Sequence, residues 1–500
     1  MGKFDFNIVV GSGPSGVSCA KGLLDNKKKV LMLDVGLEIE KKKKEKKKEL
    51  INLNNKSNFY EEWVKNFKPI NHNIFKQIYS SSFAYANKKE FFLNNPKGLN
   101  FTGSYALGGL SNVWGAASLP YEENDFLTWP INLNDLKPYY KKIQNIINVN
   151  ENIKMSNQGE EILKNLKRKK KYLNKKNFFF NRSKIAVNNS CILCGLCMYG
   201  CPYDYIYNTN QTLKTFKRNK KFKYINGLKV VKFKENGKNV IVYAKKISNK
   251  KILKFYGKSL FIGSGPLSTA KIVLNSINYK KNLILKQNQI FYIPFLMEKS
   301  IKNPNMKNTL SQLFCEINDK NVSDYNIHLQ FYTFDNYILN LIESKLIPFS
   351  YFFLLKKIIR KLYNKLIISF VYLHSNLSPK IILKPIKKNN EIYFETILKK
   401  SNYSKIYLKK ILNKLNELKP YTKLKPLNFF SKIGYPGESN HIGGIFPMSN
   451  KNEFLKTNKL GGLNNSKKIF IIDSSNFPDI PSKTITLTIM ANAYRIGCNF

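Results

Sequence analysis

Cys191, Cys194, Cys197 and Cys201 are spaced C-x2-C-x2-C-x3-C and run into Pro202. Thiolates at this spacing can take successive corners of an iron–sulfur cube while the proline turns the chain away, the pattern of ferredoxin-type [4Fe–4S] segments. The fourth ligand is then Cys201, or a remote thiol such as Cys315 or Cys498. A zinc site, which more often pairs two separated C-x2-C elements, is the competing reading, and a loop that holds no metal is a third. Four of the seven cysteines fall in this one segment. That fits a metal site in a reducing, cytoplasmic setting better than a disulfide scaffold.

A second chemistry-bearing segment is Gly11-Ser12-Gly13-Pro14-Ser15-Gly16, a G-x-G-x-x-G loop. It follows the mostly apolar stretch Phe6–Val10 and opens a helical pattern with Val17, Ala20 and Leu24 on one side. Glycines let a backbone approach a pyrophosphate, and a helix N-terminus offers free N–H groups to it. Lys29–Asp34 reads as the next strand, and Asp34 at its end is placed to accept hydrogen bonds from a ribose. Strand, turn, helix, strand and acid in order mark a dinucleotide site. The loop alone does not choose the dinucleotide.

Two further blocks could present groups to a flat ligand. Gly108, Gly109, Ser111, Asn112, Trp114 and Gly115 make a glycine-rich turn beside a tryptophan, which could equally be a tight turn against a core. Near the C-terminus, His441-Ile442-Gly443-Gly444-Ile445-Phe446-Pro447-Met448 precedes Asp473-Ser474-Ser475-Asn476-Phe477-Pro478 and Thr484-Ile485-Thr486-Leu487-Thr488-Ile489-Met490-Ala491-Asn492-Ala493. A neutral imidazole between glycine-rich turns is suited to take a proton from an alcohol near pH 7.

These blocks, with the Gly263-Ser264-Gly265-Pro266-Leu267-Ser268-Thr269-Ala270 turn, resemble in type and order the glucose-methanol-choline oxidoreductases. The resemblance covers both ends and the region near residue 260, about half of the chain. It implies FAD as cofactor, oxidation of a CH–OH group of a small-molecule alcohol, and His441 as the base, with hydride passing to the flavin. A sugar or glycan hydroxyl is the expected substrate. The resemblance assigns cofactor contacts to Gly11, Gly13, Pro14, Ser15, Gly16, Asp34, Gly108, Gly109, Ser111, Asn112, Trp114, Gly115, Val231, Gly263, Asp473, Ser474, Thr486 and Thr488. It starts a helix beneath the flavin at Thr488 and Met490. Many members carry His or Asn where this chain has Thr484, which can donate a hydrogen bond but cannot act as a base. The cysteine segment adds the expectation that electrons leave FAD through a cluster to an acceptor protein or quinone. An oxygen-using oxidase without a cluster is the alternative among enzymes.

The elements that must position these residues divide the 500-residue chain. The expected fold is α/β: a discontinuous Rossmann-like FAD-binding domain, doubly wound by analogy, plus an α+β substrate domain. FAD-binding parts are expected at 1–145, 221–288 and 431–500. A basic insertion with the cysteines spans 146–220, and a substrate domain spans 289–430. Within the last, the β-rich runs Gln312–Ile317, Tyr325–Thr333, Leu366–Leu373, Lys380–Leu383 and Glu391–Ile397 lack the spacing of βαβ units, which predicts an antiparallel sheet flanked by helices. Asn236-Gly237 predicts a hairpin turn. His374 reads as a structural residue at a strand end, and the charge run 41–49 as a solvated loop or helix.

The net charge of +52 raises nucleic acid or an anionic membrane as partner. Only five basic residues are Arg, however, and the Lys are spread along the chain beside many Asn and Ile, which resembles the coding bias of an AT-rich genome. Nucleic acid is therefore not the expected partner; a basic binding protein on an inactive flavin fold remains the alternative outside enzymes. The N-terminus reads as lacking a signal peptide. The apolar run Leu346–Leu355 is too short to span a bilayer, and its basic flank leaves a buried helix or a peripheral membrane contact open.

Overall fold

The computed structural model describes residues 5–52, 76–94, 97–302, 308–333, 362–399 and 402–500. The run Leu346–Leu355 and its basic flank lie outside them. A five-stranded parallel sheet is built, in spatial order, from Ile469–Ile471, Leu260–Ile262, Asn7–Val10, Val30–Leu33 and Phe222–Ile225. Strands from both chain ends thus lie within one sheet. Side chains alternate across a strand. Val9, Met32 and Phe261 therefore pack under the helices Pro14–Asp25 and Thr486–Cys498, while Ile8, Val10 and Leu33 face the opposite core. The two helices cross tightly: a Cβ at Gly22 or at Gly497 would lie 2.4 Å from the carbonyl oxygen of Tyr494 or of Cys19.

The second face departs from a doubly wound arrangement. It meets the antiparallel ribbon Leu228–Asn236, Asn239–Lys246 and Ile252–Gly257, together with the helix Pro266–Ile277. The ribbon turns at Asn236-Gly237, where Gly237 has φ +53°.

A seven-stranded antiparallel sheet stands beside this unit. Its order is Leu424–Pro426, Ile290–Met297, Leu366–Tyr372, Ile327–Thr333, Leu313–Ile317 and Phe178–Arg182, with Lys432–Ile433 also pairing the second of these. The edge strand Phe178–Arg182 comes from the segment expected to be an insertion. So does the helix Asn157–Arg168, which buries Ile162, Leu163 and Leu166 in the core under this sheet. The hairpin Ile381–Lys388 and Glu391–Leu398 goes the other way. It lies within the expected substrate segment, yet Ile381, Leu383, Ile392 and Phe394 join the core of the parallel sheet.

The charge run forms the helix Lys41–Asn52, largely exposed but anchored by buried Leu50. Among the described residues no helix is long and apolar enough to cross a membrane.

Candidate active site

Three helices begin at one large cavity. Gly13, Pro14 and Ser15 open the first, Gly265 and Pro266 the second and Thr486 the third, and all six line the same space. Converging N-termini bring unpaired N–H groups and positive dipole ends, which suits a diphosphate. The cavity measures about 1300 Å³. Ordinary small-molecule pockets run to roughly 300–1,000 Å³, so there is room for a dinucleotide and a substrate together.

The glycine loop is built for close approach. Gly11 has φ +95°. A Cβ at Gly16 would lie 1.9 Å from the Gly11 carbonyl oxygen, and one at Gly109 would lie 3.2 Å from Gly13 Cα. The 11–16 and 108–109 backbones are therefore in contact, and Ser12 Oγ accepts the Gly108 N–H at 2.9 Å. Asp34 lines the cavity and accepts hydrogen bonds from the hydroxyls of Ser12 and Tyr224. Burial raises its carboxyl to about 6 against the lowering effect of those two hydroxyls.

Of the residues expected at the cofactor, Gly11, Gly13, Pro14, Ser15, Asp34, Gly109, Trp114, Gly115, Val231, Gly263, Asp473, Ser474 and Thr486 line the cavity. Val231 sits where the ladder between its strand and the next shifts register. Asp473 is a scaffold as well as a wall: its carboxylate accepts from Gly265 N–H at 2.9 Å, Thr269 Oγ1 at 2.5 Å and Ser475 N–H at 2.9 Å.

Five expected residues stand behind the wall. Gly16 packs on Gly11 as described. Gly108 takes φ +87° at the turn and its carbonyl accepts the Ser111 hydroxyl at 2.6 Å. Asn112 ties the carbonyls of Leu107 and Gly109. Thr488 is fully buried with its hydroxyl 2.8 Å from Tyr140 Oη, and Met490 lies in the core. The helix starts two residues earlier than expected, at Thr486, and turns Thr488 away from the cavity.

His441 and Thr484 both line the cavity, and neither His441 Nδ1 nor Thr484 Oγ1 has a hydrogen-bond partner. The His441 ring lies 5.0 Å from the Tyr372 ring. Burial, with His328 adding to it, lowers the imidazole to about 3, so it is neutral at physiological pH. The chemistry open at this cavity is proton acceptance by a neutral imidazole, with the Thr484 hydroxyl on the same lining able to donate or accept.

Several residues of the site went unrecognised in the sequence. Gln330, Tyr332 and Tyr372 form part of the wall. Behind them His328 Nδ1 is 3.5 Å from Glu316 Oε1, and Glu316 is 3.4 Å from Lys483 Nζ. Lys483, 2% exposed, also pairs with Glu122 at 2.9 Å and Asp125 at 3.4 Å. Burial acts against the Glu316 charge, yet His328 and Lys483 prevail and hold its carboxyl down at about 2. The available signals were polar residues at alternate positions of an otherwise apolar strand, His328 and Gln330, and a lone Lys between Pro481 and the TITLTIM run. His374 serves structure: its Nδ1 accepts the Asn376 N–H at 3.1 Å and its ring stacks on Tyr325 at 4.0 Å.

Cys191, Cys194, Cys197 and Cys201 line one small cavity of about 20 Å³, and Cys315 and Cys498 do not. Cys315 is fully buried under the seven-stranded sheet. Burial pushes Cys191 to about 11 and Cys194 to about 12, opposed by N–H groups of Leu193 and Leu196. The Tyr205 N–H reaches Cys201 Sγ at 3.2 Å. The space is about that of one water. Among the described residues no set of three His, Cys, Asp or Glu side chains is gathered to hold a single metal ion. Lys76, 4% exposed, lines the large cavity, bonds the Trp114 carbonyl at 3.2 Å and lies within electrostatic reach of Cys197 and Cys201.

No protein family profile and no curated protein matches the sequence. The fold does have solved counterparts. Pyridoxine 4-oxidase from Mesorbium loti superposes with a TM-score of 0.60 at 10% identity over 99% of both chains. An FAD-dependent oxidoreductase from Chaetomium thermophilum superposes with a TM-score of 0.58 at 12% identity over 99% of this chain and 98% of that one. Along nearly its whole length the chain has the fold of FAD-dependent oxidoreductases.

Proposed function

We propose that the chain binds FAD in the large cavity and oxidises the CH–OH group of an alcohol to a carbonyl. The observation that carries this reading is that His441 and Thr484, whose Nδ1 and Oγ1 have no hydrogen-bond partner, both line the cavity at which three helices begin. The glycine cradle, the helix N-termini and Asp34 fit a pyrophosphate and ribose. When bound, FAD supplies a two-electron acceptor for the hydride leaving the alcohol carbon. The protein's own part is to take the hydroxyl proton on the His441 imidazole, to hold the substrate oxygen with Thr484, and to exclude water behind the Tyr332 and Tyr372 walls. The alcohol thereby loses one hydride and one proton, and the proton passes on to solvent.

Two measurements test the cofactor and the base. Anaerobic addition of a reactive alcohol to FAD-loaded protein is expected to bleach the oxidised flavin band; no bleaching by any alcohol class overturns the reading. Gly16→Ala forces a methyl against the Gly11 carbonyl, so the purified variant is expected to carry at least about tenfold less flavin per chain, measured by absorbance, with an unchanged far-UV spectrum.

The reading extends to the thiols. Cys191, Cys194, Cys197 and Cys201 are the residues that would hold an iron–sulfur cluster, which supplies one-electron transfer to an acceptor protein or quinone. Four thiols around one cavity, with backbone N–H groups directed at sulfur, support this donor set, and the small cavity requires the thiols to spread on loading. Anaerobically purified protein is expected to contain iron and acid-labile sulfide in equal amounts, and Cys197→Ser to lose both while keeping its flavin. Absence of iron and sulfide with peroxide formed on turnover supports the oxygen-using alternative.

A further inference from the structure

The face of the seven-stranded sheet turned toward the cavity is apolar in successive rows. Strand register places Ile290 beside Tyr372, Tyr292 beside Phe370, and Pro294 beside Ile368. Tyr332 extends the last row and Gln330 the one before it. All these residues line the cavity. The alternate residues of the same strands, Phe291, Ile293, Phe295, Leu329, Ile367 and Val371, are fully buried in the core on the opposite side. The sheet is therefore apolar on both faces: one packs on the core that its flanking helices build, and on the other Ile290, Tyr332, Ile368, Phe370 and Tyr372 form a second buried cluster at the cavity. From the second face the lining continues through Leu427 to half-exposed Phe430.

The polar side chains of Tyr332, Gln330 and Tyr292 on this wall are already engaged. Tyr332 donates to Gln330 Oε1 at 2.8 Å, and Gln330 Nε2 lies 3.2 Å from His328 Nε2. Tyr292 is hydrogen-bonded to Glu438. A polyol laid against these rows would leave the hydroxyls that face them without partners, which a pocket strongly disfavours. Among the described residues that line this chamber, the buried side-chain polar atoms without a partner are His441 Nδ1 and Thr484 Oγ1, which leaves few groups for more than one hydroxyl.

We infer that the substrate is a monohydroxy alcohol with a bulky apolar or aromatic body, and not the sugar or glycan that the resemblance implies. This rests on the flavin reading above. The alcohol gives a hydride to oxidised FAD and a proton to His441, and leaves as the aldehyde or ketone.

The test uses FAD-loaded full-length protein and three probes: cinnamyl alcohol, D-glucose, and 2-phenyl-2-propanol. The last is a tertiary alcohol with no hydrogen on the carbinol carbon, so it can bind but cannot be oxidised. Cinnamyl alcohol is expected to reduce the flavin with kcat/KM at least about a hundredfold above glucose, and the tertiary alcohol to shift the flavin band saturably without bleaching it. Phe370→Ala is expected to raise KM for cinnamyl alcohol at least about tenfold with kcat nearly unchanged. Ile368→Thr, which keeps the β-branched shape, is expected to raise it by a smaller factor and serves if Phe370→Ala fails to fold. Preferential oxidation of glucose, or a KM unmoved in both variants, overturns the inference while the flavin reading stands. Saturable binding of the tertiary alcohol without reduction by cinnamyl alcohol supports the apolar chamber and overturns the alcohol-oxidation reading. Absence of both binding and reduction with cinnamyl alcohol overturns the inference.

Discussion

His441→Ala slows flavin reduction by an alcohol substrate by about 10²–10⁴-fold, the range lost when a positioned general base is removed, while flavin content and substrate binding stay near those of the parent. The size follows from the surroundings. Among the described residues, Thr484 carries the other buried, unpartnered polar atom at the chamber, and a hydroxyl cannot hold the substrate's proton near neutral pH. Thr484→Ala is therefore expected to cost much less, on the order of tenfold, since one modest hydrogen bond is lost. Stopped-flow reduction under anaerobic conditions measures both. The pH dependence has a definite sign. The reactive form is the unprotonated imidazole, and burial together with His328 lowers its pKa from 6.5 to about 3. The plateau of the reductive rate therefore extends through pH 6 and 5, and the acid limb lies well below that of an ordinary histidine. A limb centred near pH 6.5 that vanished in His441→Ala would show the imidazole to be solvated, contrary to the structure. Unchanged reduction in His441→Ala would remove the base assignment.

The parts of this site that local chain geometry dictates were legible in the sequence. Strand, glycine turn and helix at 7–25 are sequential neighbours, and the steric demand at Gly16 arises from Gly11 five residues earlier. The β-rich runs of the second half form strands within one or two residues of the expected bounds for 313–317, 327–333 and 366–372. Partner choice was not legible, because an alternating or apolar run announces a strand without naming the strand it pairs with. Phe178–Arg182 therefore looked like part of an insertion, and the hairpin from Ile381 to Leu398 like part of the substrate sheet. Side-chain direction at a helix start was also hidden. Thr486 and Thr488 sit two residues apart, which on a helix turns them to different sides, and only the position of Tyr140 shows which one leaves the cavity. Ser111 and Asn112 matched a cofactor block by type, yet they act by closing the Gly108 turn. The apolar wall of the cavity carried no motif. It is made by cross-strand rows whose members are about 40 to 80 residues apart, and becomes visible only once register is known.

Lys483→Met destabilises the protein by about 3–5 kcal/mol, the cost expected when one partner of a buried charge set is removed. Lys483 is almost fully buried and is ion-paired to Glu122, Asp125 and Glu316. Of these, Asp125 and Glu316 have side chains only 9% and 10% exposed, so water cannot replace the ammonium. Burial disfavours the Lys483 charge, and the three carboxylates outweigh it, raising its pKa. Met keeps the length and apolar bulk, which leaves the lost charge as the main change. Glu122→Gln, whose side chain is 66% exposed, should cost under about 1 kcal/mol by the same logic. Urea denaturation followed by fluorescence compares the two. In a Glu316→Gln background Lys483→Met should cost measurably less, because the interaction is shared. The acid side gives an independent check. The Glu316 carboxyl is depressed from 4.5 to about 2, so its stabilisation is complete above pH 4.5 and fades as pH falls toward 2; Glu316→Gln should flatten that part of the stability profile. Lys483 immediately precedes Thr484, and Glu316 binds His328 behind the Gln330 wall. Loss of this charge set should therefore also loosen the chamber, seen as a rise in KM larger than the fall in kcat. Equal costs for Lys483→Met and Glu122→Gln would mean that the cation is solvated and the network holds nothing in place.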